Sequence, residues 1–143
     1  MLRRYCGLAL LAATAALPGC GSSPITPDRV ESAIRKTFGN LVQVQVSWIG
    51  LAPMSASDFD VTASCRKLSG GTVGAGEWFC TLVWKGPERQ TLRDGYELFV
   101  ATDGCYMALV AGESLGGPML KAKDGRDVRN LLYAFDGCFD TTT

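Results

Sequence analysis

From Thr26 onward the first pattern is helical. Val30, Ile34 and Phe38 recur every four residues with Ala33 beside them, while Arg29, Glu31, Arg35 and Lys36 fall off that line. An apolar stripe of this kind faces a core and its charged flanks face water. Thr26 is a capping residue type, and Pro27 suits the first helical position, where its missing N–H costs nothing. Gly39-Asn40 predicts the helix end. The period then changes. Val42, Val44, Val46 and Trp48 alternate with Gln43, Gln45 and Ser47, which predicts a strand over 41–49. Residues 50–57 read as a loop.

Two further alternating runs follow. Phe59, Val61, Ala63 and Cys65 interleave with polar residues, and Trp78, Cys80, Leu82 and Trp84 do the same. Folding them about the glycine-rich stretch from Leu68 to Gly76 sets Cys65 opposite Cys80, Ala63 opposite Leu82 and Val61 opposite Trp84. A one-residue slip would send that whole apolar set to the other face, so the register is specified. Gly86-Pro87-Glu88-Arg89 reads as a turn. Gly95–Ala101 and Cys105–Val110 read as two more strands, and Asp103-Gly104 predicts a two-residue hairpin that pairs Val100 with Met107 and Leu98 with Leu109. Residues 111–127 read as a long loop, and 128–135 as a short helix or an irregular strap whose end lies back on the sheet. The fold expected is α+β: an N-terminal helix packed on an antiparallel sheet of about five strands.

In the predicted register Phe99 and Tyr106 share the face opposite Leu98, Val100 and Met107. Phe79 and Val83 likewise lie opposite Trp78 and Trp84. Apolar residues on both faces imply that the helix covers one and the C-terminal strap the other. The sharper alternative is an exposed patch around Phe99 and Tyr106 that docks a partner.

Composition narrows the chemistry. The chain has 143 residues, 14 Lys plus Arg, 14 Asp plus Glu and no His. That length fits one domain. The lack of histidine excludes Ser-His and Cys-His catalysis and any His-ligated metal. A balanced charge with no basic block argues against nucleic acid. Gly70 to Gly76 has the glycines of a phosphate loop, but it lacks the Gly-Lys-Ser/Thr ending and leads into a strand. Asp58 and Asp60, two apart on a predicted strand, and Asp124 with Asp127 fit no calcium loop. A Ser-Lys site remains open in principle, but no spacing singles one out. The expectation is therefore no enzyme, no catalytic residue, no metal and no cofactor.

The N-terminus carries an address. Arg3 and Arg4 precede an apolar run of thirteen residues, Tyr5 to Leu17. That is the layout of a secretory signal peptide, and it is too short to cross a bilayer as a helix. Leu17-Pro18-Gly19-Cys20 resembles the lipobox of bacterial lipoproteins, with Pro18 in place of the usual Ala, Ser or Thr. The resemblance implies cleavage before Cys20 and a diacylglycerol, often with palmitate, on its sulfur. Two or more acyl chains anchor stably where one does not. The organisation expected is a signal peptide over 1–19, a lipidated Cys20 and flexible tether over 20–26, and one domain over 27–140. Removing 1–19 leaves 12 basic and 14 acidic side chains.

Cys6 falls in the signal, and Cys20 is the lipidation residue. Cys65, Cys80, Cys105 and Cys138 remain, an even number in an exported chain, where disulfides form. Their spacing lacks the close cysteine pair of a zinc cage. The hairpin register selects Cys65–Cys80, which leaves Cys105–Cys138.

A helix followed by an antiparallel sheet is similar to cystatin-like architecture. The layout and cysteine spacing over residues 27–140 resemble small cysteine-paired actinobacterial lipoproteins of unknown function. Gln43-Val44-Gln45-Val46-Ser47 keeps the first Gln of the cystatin inhibitory Gln-x-Val-x-Gly hairpin but lacks its Val and Gly, so inhibition is not carried over. The function expected is a non-catalytic binding or accessory domain. It would be anchored to the cell membrane through its N-terminal lipid on the extracytoplasmic side, with a protein of the envelope as partner. The alternative is a surface inhibitor of an extracellular enzyme, acting through the loop at 68–76 or 112–126.

Overall fold

The computed structural model describes residues 24–142. The segment expected to be a signal peptide, with Cys6, and the expected lipidation residue Cys20 lie outside the described residues. Helix α1 runs from Pro27 to Trp48, well past Gly39-Asn40, so the strand expected over 41–49 is part of the helix. The reason lies in the spacing. Val42 and Val46 fall four and eight positions beyond Phe38, so they extend the Val30, Ile34, Phe38 stripe, and all five are buried. Positions four apart also satisfy a period of two, which is how the same residues read as a strand. Val44 and Trp48, which a strand would have buried with them, are 40% and 48% exposed. Gln45 contributes too: its Oε1 accepts the Leu131 N–H at 2.6 Å.

Gly39 lies inside the helix, at a cost of roughly 1 kcal/mol against alanine in helix propensity. Packing outweighs that cost. A Cβ there would meet the Ala56 carbonyl and Val61 Cγ2, both at 3.7 Å, which is ordinary contact. Gly39→Ala is therefore expected to stabilise the protein by about 0.5–1 kcal/mol. Urea unfolding should show a raised midpoint at unchanged slope. A lowered midpoint would mean that the helix depends on the missing methyl group.

At the other end of α1, Thr26 occupies the cap position in an extended conformation without a side-chain bond, and Pro27 follows. The tether reading extends too far. Ile25 is only 5% exposed, and its carbonyl accepts the Gly74 N–H at 2.7 Å.

Seven strands follow: β1 Thr62–Lys67, β2 Gly76–Lys85, β3 Thr91–Val100, β4 Cys105–Val110, β5 Met119–Lys121, β6 Asp127–Arg129 and β7 Ala134–Cys138. Five form one antiparallel sheet in the order β1-β2-β3-β4-β7, with α1 packed on one face, so the fold is α+β. The β1–β2 register is the expected one, Cys65 opposite Cys80 and Ala63 opposite Leu82. Both disulfides form as read, Cys65–Cys80 and Cys105–Cys138.

The β3–β4 hairpin differs from the expectation by one residue. Val100 pairs with Tyr106, Phe99 with Met107, Leu98 with Ala108 and Glu97 with Leu109. The connection is the three residues Thr102-Asp103-Gly104. Ala101 donates its N–H to the Cys105 carbonyl at 2.8 Å, and Gly104 adopts φ 83°. A turn closed by a left-handed glycine is the three-residue alternative to the two-residue Asp-Gly turn. One added residue flips the strand, so Tyr106 faces the core and Met107 faces away.

The loop expected over 111–127 contains β5, whose partner β6 starts at Asp127. The strap is β7 itself, paired along β4. Asn130 fixes the approach to it. This side chain is 1% exposed; its amide donates to the Leu115 and Gly117 carbonyls at 2.8 and 2.9 Å, and its oxygen accepts the Leu132 N–H at 3.1 Å. A buried side chain satisfied this fully organises three segments at once.

The core lies between α1 and the inner sheet face, where Trp78, Leu82, Tyr96, Val100 and Cys80 are fully buried. The Tyr96 hydroxyl donates to the Leu132 carbonyl at 2.7 Å, and burial pushes that phenol well above its ordinary range, with the Asp94 charge adding to the shift. At the β1 border, Glu31 of α1 accepts the Cys65 N–H at 2.8 Å.

Candidate functional site

The outer face of the sheet is built by the alternate residues of each strand. Strand geometry sends Glu77, Phe79, Thr81 and Val83 outward from β2, Glu97 and Phe99 from β3, Met107 and Leu109 from β4, and Ala134 and Asp136 from β7. The strap was expected to cover this face, but β7 lies in the plane of the sheet at its border and covers nothing. The consequence is exposure of large apolar groups: Phe99 59%, Met107 69% and Leu109 47%. A shallow groove of about 980 Å³ runs over them, reaching Leu68 at one margin and Arg129 at another. Contiguous exposed apolar area of this kind marks interaction sites in soluble domains.

Phe79 is treated differently. Its ring lies over Gly95, where a Cβ would come within 2.6 Å of Cζ. The Arg66 guanidinium sits 5.6 Å from the ring centroid on the same side chain. Phe79 is thus tied down, whereas Phe99 and Met107 stand opposite each other with solvent above them.

Apart from Arg129 at one margin, the border of the patch is acidic. Glu77 pairs with Phe99, Glu97 with Leu109 and Asp136 with Met107 across the ladders. Among the described residues the ion pairs are Lys121–Asp127 and Arg126–Asp124, and neither involves these three carboxylates.

Of the two residues expected on one docking patch, the structure keeps Phe99 and removes Tyr106. Tyr106 is 3% exposed, and its hydroxyl donates to Thr37 Oγ1 at 2.8 Å. Burial raises the phenol's pKa, the Thr37 bond opposes that, and the Asp136 charge adds to it. The displacement follows from the extra hairpin residue, which puts Met107 where Tyr106 was expected. The signal that could have found Met107 is the sequence Ala-Thr-Asp-Gly-Cys, which suits a three-residue turn as well as a two-residue one.

The other candidates are placed in local structure. Asp58 belongs to a 3-10 turn, Ala56–Phe59, where its carboxylate accepts the Ser55 N–H at 2.8 Å. That bond first, then the Ser55 hydroxyl, holds its carboxyl below the usual range. Asp60 closes that turn in a left-handed conformation, so the two do not share a strand face. Asp124 accepts from the Arg126 side chain at 2.6 Å and from its N–H at 3.1 Å, which likewise lowers its pKa. Asp127 pairs with Lys121. The Lys67 ammonium rests on the Ser69 backbone carbonyl, and Lys85 donates to the Thr91 hydroxyl at 2.7 Å in an exposed cross-strand contact. Gln43 to Ser47 lies on α1 rather than in a strand. Among the described residues no helix is long and apolar enough to cross a membrane, and no three Cys, Asp or Glu side chains cluster closely enough to hold a metal ion.

A second, smaller apolar strip lies at the far end of α1, where Val44, Trp48 and Leu51 are 40–48% exposed. Comparison with protein-family models, with curated proteins and with solved structures returns no match.

Proposed function

We propose that this protein is a non-catalytic binding or accessory domain of the cell envelope. It is held on the extracytoplasmic side of a membrane by lipid on Cys20, and it presents the outer sheet face to a protein partner. The observation that carries the reading is the uncovered group of Phe99, Met107 and Leu109. Their acidic border selects a partner surface with an apolar anchor and basic residues around it, since complementary charge steers encounter and fixes register. Two further observations support the compartment. The order Arg3-Arg4, apolar run, Leu17-Pro18-Gly19-Cys20 has the layout of a lipoprotein signal. The paired cysteines suit an oxidising environment.

The binding test places a photo-crosslinking amino acid at Phe99 in intact cells. A discrete protein adduct is expected, absent when the same group replaces Glu88 on the remote 86–90 turn. Adding Met107→Glu should reduce the adduct at least tenfold, because a carboxylate would have to be desolvated at the centre of the patch. No adduct, or one indifferent to Met107→Glu, would sink the reading. A secreted hydrolase as the captured partner would favour the inhibitor alternative. The anchor has its own test: mass spectrometry of the mature N-terminus should find Cys20 first and bearing diacylglycerol, and an unmodified Cys20 removes that part.

A further inference from the structure

We propose that the loop of residues 68–76 rests on the bilayer surface, so that the domain stands with this end against the lipid headgroups and the outer sheet face turned sideways. The inference builds on the lipid anchor proposed for Cys20 and names the partner of a second surface.

Three observations place the loop there. Ile25 is buried and bonded through its carbonyl to the Gly74 N–H at 2.7 Å, so the chain enters the fold beside this loop. Gly74 is held from the other side as well, its carbonyl accepting the Trp78 indole N–H at 3.2 Å. Cys20 precedes Ile25 by only five residues, and even a fully extended stretch of that length spans no more than ~18 Å. A lipid on Cys20 therefore keeps the 68–76 end near the membrane whatever the intervening conformation.

The composition of the loop matches that position. No charged residue occurs between Lys67 and Glu77. Leu68 and Val73 hold their side chains in solvent, 45% and 47% exposed, on a stretch otherwise made of Gly, Ser, Thr and Ala. The opposite end of the sheet contrasts with it: the 86–90 turn presents Glu88 and Arg89. The neighbouring 101–104 hairpin carries Asp103, and Asp140 lies beyond the strand that ends at Cys138. Those carboxylates limit the contact to the headgroup layer, which is about 5–8 Å deep. Two aliphatic side chains on an uncharged loop reach that depth without drawing a charge into hydrocarbon.

The test uses the full lipidated protein in vesicles of phosphatidylcholine containing brominated phospholipid, which quenches tryptophan at short range. Val73→Trp is compared with Glu88→Trp and with the parent chain, whose exposed Trp48 lies at the far end of α1 and sets the background. The tryptophan introduced at position 73 should be quenched at least twofold more than the one introduced at position 88. Unchanged near-ultraviolet circular dichroism confirms that each variant folds. Lipidated protein that floats with the vesicles yet shows equal quenching at both positions overturns the placement of the loop and leaves the anchor standing. An N-terminus that carries no lipid overturns the anchor, and the loop's placement with it.

Discussion

Phe38→Ala is expected to cost about 3–5 kcal/mol, the upper range for truncating a buried aromatic ring. Phe38 is fully buried at the point where the elements of the inner layer meet. Its ring centroid lies 4.9 Å from that of Trp84, 5.8 Å from that of Tyr96 and 6.2 Å from that of Phe135, so one side chain joins α1 to β2, β3 and β7. Pairs in tilted or edge-on arrangement add roughly 0.5–1.5 kcal/mol beyond their area. In a domain whose whole stability is of order 5–15 kcal/mol, the loss is a large share. Thermal unfolding should start some 10–20 °C lower. Val44→Ala on the exposed side of the same helix should stay within about 0.5 kcal/mol of the parent. Equal melting of the two variants would show that α1 is not seated on the sheet by this ring.

The two disulfides should part company under mild reduction. Cys65 and Cys80 sit on the inner face at 8% and 0% exposure, beneath the helix. Cys105 and Cys138 sit on the outer face, and Cys138 is exposed. Thiol exchange requires attack on a disulfide sulfur, so access decides the order. Peptide mapping after partial reduction should find Cys105 and Cys138 labelled while Cys65–Cys80 remains joined. Replacing Cys105 and Cys138 by alanine opens a 33-residue link and should cost about 3–4 kcal/mol in the chain-entropy account. Much of the disturbance should fall on β7, which lies at a border and has β4 as its only partner in the sheet. Simultaneous labelling of all four cysteines would mean that the first bridge is not shielded as described.

The parts legible in the sequence were those specified twice. The β1–β2 register is fixed by alternation and again by the cysteines, and it stands as read. Two of the errors arise where two patterns share residues. Val42 and Val46 satisfy both a strand and a helix, and only the preceding stripe decides between them. Asp103-Gly104 suits two hairpin lengths, and the choice moved Tyr106 into the core and Met107 out of it. The short strands Met119–Lys121 and Asp127–Arg129 carry three residues each, too few for any period to register. The exposed patch was thus half visible: Phe99 came from alternation alone, whereas Met107 needed the turn.

The bond from Glu31 to the Cys65 amide has a consequence for self-association. The sheet has two borders, β1 and β7. An open border is a template for another chain's strand, and continuous growth needs two of them on every molecule. Here the helix already occupies the central amide of one. Within the five-stranded sheet, pairing of copies strand to strand is directed to β7, and a two-fold union of that kind uses up that border on each member. Such contact terminates at a couple, so the five-stranded sheet resists threading into filaments.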